Sequence, residues 1–224
     1  MHRRSFSWVV AASLTLLSLS EPVLAYNAPL SDAAVREAYF LGQRRDETTA
    51  RVLDSYTRNL SAPKTGPYVS TVQVFTPFAQ VVDFSRQHSL GYSAQQAELD
   101  YRHRSDTIEV IVYIRLTPTY GAVIPQPARK GSRSGESVAY SLRSPDFWQD
   151  FRFQVVQSDS IVEPRNLSGA PTYGPGSEGS SCLLGAIIGL EFAAEDLASD
   201  DATVAVDTPD GQHVIATFDL SKLR

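Results

Sequence analysis

The sequence predicts a mainly β fold, an antiparallel β-sandwich of the immunoglobulin-like kind with a helical segment at its N-terminal end. Three observations carry that expectation. Residues 107–117 alternate in polarity along their whole length, Thr208-Pro-Asp-Gly211 joins two more alternating runs, and the longest helical spacing falls within residues 31–60. The same observations admit an open antiparallel α+β sheet with the helix lying on one face.

The chain opens with a basic stretch holding His2, Arg3 and Arg4, then an apolar run from Trp8 to Leu19. Glu21 and Pro22 interrupt it, and Val23-Leu-Ala25 offers the compact residues a signal peptidase cuts behind. The run is well short of the ~20 residues that span a bilayer. Residues 1–25 therefore read as a secretory signal peptide, 26–62 as an N-terminal helical segment and 63–224 as a β-rich globular domain. The expected location is the periplasm or the medium, with no membrane span after residue 25. The full chain carries 20 Lys and Arg against 25 Asp and Glu. Removing Arg3, Arg4 and Glu21 leaves 18 against 24, a net of −6. That sign argues against nucleic acid, which needs a basic footprint. Cys182 is the only cysteine, so no internal disulfide forms and packing must supply the stability.

In the helical segment, Ser31 and Asp32 are the N-cap residues. Val35, Ala38, Tyr39 and Gly42 recur at helical spacing, as do Val52, Leu53, Tyr56 and Leu60, on either side of the polar run Gln43–Thr49. That pattern fits one long helix or two hinged near Gly42. Residues 68–75 alternate as a strand. Thr76-Pro77 then opens either a short helix through Arg86 or a strand bent at the proline. Ser93 caps a second short helix over 94–101. In the 107–117 strand, Ile108, Val110, Val112, Ile114 and Leu116 must face the core, and Glu109, Ile111, Tyr113, Arg115 and Thr117 the wetter side.

Residues 124–135 read as a basic surface loop, 147–155 as a strand with one aromatic face, and 168–181 as a second loop rich in Gly and Pro. Leu183–Leu190 has no polar side chain, which suits a strand buried on both faces. The final hairpin pairs 202–207 with 212–218. It is expected to join 183–190 and 107–117 in one larger sheet.

Chemistry-bearing patterns are few. His88, His103 and His213 stand in no metal-binding arrangement, and all three are expected at the surface. Gly131-Ser-Arg-Ser-Gly135 has the wrong spacing for a nucleophile elbow. Gly174, Gly176 and Gly179 lack the lysine and helix of a phosphate loop. Cys182 reads as a small buried residue at a strand start. The acidic corner of Glu195, Asp196, Asp200 and Asp201, with Asp207 and Asp210 at the next turn, is the one metal expectation. Loops rich in carboxylates can hold Ca²⁺, which takes about six to eight oxygens, although Asp also favours ordinary turns. Tyr120, Tyr140 and Tyr173 lie beside the loops, where aromatics contact sugars or proteins or pin the loop to the sheet.

Three functional classes follow. The first is an exported, non-enzymatic module that binds a protein or a carbohydrate or fills a structural role. The second is a secreted hydrolase whose groups converge only on folding, and the third an accessory protein that docks through its N-terminal helix.

Overall fold

The computed structural model describes residues 28–88, 91–104, 106–125, 140–175 and 180–224. The signal-peptide reading, the Gly131–Gly135 motif and the Gly176 and Gly179 positions lie outside them. The chain is mainly β, its sheets are antiparallel, and the described residues form no closed barrel. One sheet has five strands in the order β1 (Thr57–Asn59), β2 (Pro67–Phe75), β3 (Thr107–Leu116), β9 (Ser181–Ala193) and β8 (Asn166–Pro175). The second has four, in the order β11 (His213–Asp219), β10 (Asp201–Asp207), β6 (Arg152–Gln157) and β7 (Ser160–Val162). A separate ribbon pairs β4 (Val123–Pro125) with β5 (Tyr140–Leu142).

The alternation of β3 has the consequence its sequence demands. Ile108, Val110, Val112 and Ile114 are all at most 1% exposed. Each is matched in the ladder by Phe192, Leu190, Ile188 and Ala186 of β9. Val204, Val206, Ala216 and Phe218 come from the four-stranded sheet and enter the same buried cluster. Two inner faces thus share one core. Removing each large side chain from water contributes about 1.5–3 kcal/mol.

The helices follow their caps. Ser31 opens α1 (Asp32–Arg44), Asp46 opens α2 (Glu47–Ser55), Thr76 opens α3 (Pro77–Gln87) and Ser93 opens α4 (Ala94–Arg102). Each cap side chain accepts a hydrogen bond from the amide three residues on. Thr76-Pro77 therefore starts a helix, with proline in the first turn where no amide is missed. Val35 and Ala38 of α1, Phe78 and Val82 of α3, and Ala97 of α4 form a second buried cluster. Gly42 lets α1 approach α3 closely, because a side chain there would run into the Val82 carbonyl and Ser85. The helical layer is tied to the sheets by the Gln80 amide, which donates to the carbonyls of Phe75 (3.2 Å) and Thr107 (2.8 Å). Arg224 adds a second tie, pairing with Glu37 and lying over the Phe78 ring.

Several expectations are corrected. The break between α1 and α2 falls at Arg45, whose φ is 51°, and not at Gly42. Residues 57–59, read as helix, pair with β2, because the Tyr56–Leu60 stretch completes the sheet edge. Residues 147–150 form a 3-10 turn and the strand begins only at Arg152. Residues 166–175 are a ten-residue strand and not a loop. Glycine and proline are tolerated there because β8 pairs on one side only. Leu184 and Ile187 are exposed, so β9 is not buried on both faces. The last hairpin forms as expected around Gly211, at φ 87°. It joins the sheet of β6 and not that of β3 and β9.

Candidate functional site

The outer face of the five-stranded sheet carries the polar half of the β3 alternation. Register places Glu109 of β3 opposite Glu191 of β9, and Glu191 opposite Asn166 of β8. The next row on that face reads Ile111, Gly189 and Ser168. The two rows border an open polar groove of about 210 Å³, lined by Thr107, Glu109, Asn166, Ser168, Gly189 and Glu191. Helix α3 flanks it, with Asp83 within electrostatic reach of both Glu109 and Tyr113.

Two carboxylates facing each other across neighbouring strands repel. Glu109 is half-buried, and loss of water is the main reason its carboxyl titrates above the usual carboxylate range. Glu191 and Asp83 push in the same direction, and Arg104 opposes them. Burial, then Asp83 and Glu109, raise the Tyr113 hydroxyl too. The groove therefore has a negative field with carboxylate, amide and hydroxyl groups at its rim. Such a surface accepts hydrogen bonds from ligand hydroxyl or amino groups and repels anions.

The sign of the pH effect at Glu109 follows. A carboxyl with a folded pKa above its unfolded value contributes stability that is present below the unfolded pKa, about 4.3. That stability is lost as pH rises through the folded value. Glu109→Gln is expected to melt higher than wild type at pH 7, with the gain shrinking to nothing below about pH 4. Thermal melts of both proteins across that range check it, and an equal gain at every pH would contradict the burial argument.

A second recess between α3 and α4 holds about 20 Å³, room for a single water. Phe84, Tyr92 and Arg104 border it, and burial there pushes the Tyr92 hydroxyl up to about 12. It is too small for an organic ligand.

The predicted site residues lie elsewhere. Glu195 and Asp196 both face Arg165, at 3.0 and 3.9 Å. The Asp200 carboxylate accepts the Asp201 amide at 2.8 Å, and Asp201 begins β10. Among the described residues no three His, Cys, Asp or Glu side chains gather to hold a metal ion. His88 and His103 each bond the carbonyl four residues back, at 2.8 and 2.7 Å. His213 pairs with Asp207 at 2.6 Å on the surface. Cys182 is half-buried at the start of β9. Tyr120 lies under the Arg143 guanidinium, 3.7 Å from its ring centre, while Tyr140 and Tyr173 are exposed.

The residues that do converge, Glu109, Asn166, Ser168 and Glu191, were not singled out by sequence reasoning. Only Glu109 carried a signal, as one of the two charges, with Arg115, on the wet side of a mostly apolar strand. Compared with known protein families and with curated proteins, the chain matches none. Within the described residues no helix is long and apolar enough to cross a membrane.

Proposed function

We propose that this protein is an exported, non-enzymatic binding module that takes a carbohydrate on the outer face of its five-stranded sheet. The observation that carries the reading is the groove between Glu109, Glu191, Asn166 and Ser168. Its acceptor-rich rim suits a ligand that presents many hydroxyl donors, and an open strand-lined surface suits a chain longer than one sugar. Export is supported by the basic and apolar pattern of residues 1–25. N-terminal sequencing of protein recovered from the periplasm or medium tests that part, since a chain starting at Tyr26 is expected and one starting at Met1 contradicts it.

Calorimetric titration with neutral oligosaccharides tests the binding. Wild type is expected to release heat with at least one of them, and the double substitution Glu109→Gln with Glu191→Gln to weaken it about tenfold or more, the usual effect of losing charge-assisted hydrogen bonds. No heat with any neutral oligosaccharide would contradict the reading.

The hydrolase alternative is supported by the same two carboxylates. Glu109, raised by burial, would be the acid and Glu191 across the β3–β9 register the base or nucleophile, as in glycoside hydrolysis. New reducing ends released by wild type but not by Glu109→Gln would favour it. Docking through the N-terminal helix has less support, because α3 and α4 cover the apolar stripe of α1 and leave Phe40 as its one large exposed apolar side chain. For the architecture, the immunoglobulin-like form is supported by the antiparallel pairing and the shared core alone. Calcium at Glu195, Asp196, Asp200 and Asp201 rests on the density of carboxylates in that connection.

A further inference from the structure

Glycine inside a strand weakens it, since it adds backbone freedom to the unfolded chain and leaves nothing to pack. Four strand glycines occur among the described residues: Gly169 and Gly174 in β8, Gly185 and Gly189 in β9. Two have a rigid neighbour that forbids a side chain. A Cβ at Gly169 would enter the Trp148 ring and one at Gly185 would strike the Ile114 carbonyl, while one at Gly174, away from the groove, would only push aside the end of the exposed Leu184 side chain.

Gly189 has no such neighbour. Its nearest neighbours to a Cβ would be the Ser168 hydroxyl at 3.3 Å and a Glu109 carboxylate oxygen at 3.9 Å. Ser168 is exposed and free to rotate by the few tenths of an ångström required. Gly189 also lies outside the positive-φ region that favours glycine. The fold would accept alanine here, and glycine leaves bare backbone on the groove floor. In a strand, that arrangement marks a place where another molecule approaches the backbone closely.

We infer that Gly189 is the seat for one sugar ring, which lies flat on the bare β9 backbone between Glu109, Glu191, Ser168 and Asn166. This rests on the carbohydrate reading above and adds the subsite and its selectivity. The ring places its apolar C–H face on the Gly189 backbone, with the exposed Ile187 next along the same strand face. Its edge hydroxyls donate to the Glu109 and Glu191 carboxylates and exchange hydrogen bonds with Asn166 and Ser168. A ring bearing its own carboxylate is rejected. It would add a negative charge beside Glu109 and Glu191, where Asp83 already adds to the field on Glu109 and, among the described residues, Arg104 opposes it.

The test uses Gly189→Ala and Gly189→Val in the purified protein, titrated with cello-, xylo-, manno- and chitohexaose and with oligogalacturonate, alongside thermal melts. Wild type is expected to bind a neutral hexaose and not oligogalacturonate. Filling the floor is expected to weaken binding about tenfold in the alanine variant and more in the valine variant, as overpacking does. The melting temperature of Gly189→Ala is expected to equal or exceed that of wild type. Unchanged affinity in both variants, with wild type binding normally, overturns the Gly189 seat and leaves the carbohydrate reading standing. No neutral hexaose bound by wild type overturns both. A clear drop in melting temperature for Gly189→Ala also overturns the inference, whatever the ligand, because the glycine would then be structural.

Discussion

Phe192→Ala is expected to cost about 3–5 kcal/mol of folding stability, the range for removing a fully buried aromatic side chain. Phe192 has no exposed surface and packs opposite Ile108, on a strand bonded on both sides by β3 and β8. Ile108, its partner in the β3 ladder, cannot move into the space without breaking that pairing, so little of the cavity closes. For a chain of this size the loss corresponds to a fall of roughly 6–20 °C in melting temperature. Ile215→Ala is the matched control. Ile215 is 52% exposed on the four-stranded sheet, and its truncation is expected to change stability by no more than about 0.5 kcal/mol. Denaturant or thermal unfolding of the two variants checks the contrast. Equal effects would mean that the two sheets do not share the core described.

Gly42→Val is expected to destabilise by about 1–3 kcal/mol, through overpacking at the crossing of α1 and α3. The new side chain would meet the Val82 carbonyl and Ser85, backbone and helix on both counts, with no flexible group to yield. The damage should be local at first. Val35 and Ala38, buried against Phe78 and Val82, should lose protection from hydrogen exchange before Ile188 and Val112 do. Uniform loss across both layers would instead make helices and sheets one cooperative unit. No loss at all would contradict the close approach of α1 to α3.

What the sequence made legible was local. The β3 alternation, the cap at Ser93 and the turn at Gly211 each involve residues a few positions apart, and each determined its element, whereas Thr76-Pro77 left a helix and a bent strand both open. β8 was hidden because an edge strand tolerates the Gly, Pro and Ser that normally signal a loop. The partnership of the last hairpin was hidden for another reason. Val204 faces Val155 of β6, nearly fifty residues back in the chain, and its apolar pattern would suit either sheet equally well. The groove was harder still. Glu109 and Glu191 become neighbours only through the β3–β9 register, and a one-residue slip of that register would send one carboxylate into the core. No spacing motif encodes such a pair.

The account stands on one surface, the outer face of β8 and β9, being where a ligand sits. Amide chemical shifts of the isotope-labelled protein, followed during titration with a bound neutral hexaose, test it most directly. The expected result is a set of shifts centred on Asn166–Ala170 and Ile187–Glu191, with the β10–β11 hairpin unmoved. Shifts centred instead on the 194–201 corner or on the β4–β5 ribbon would contradict it.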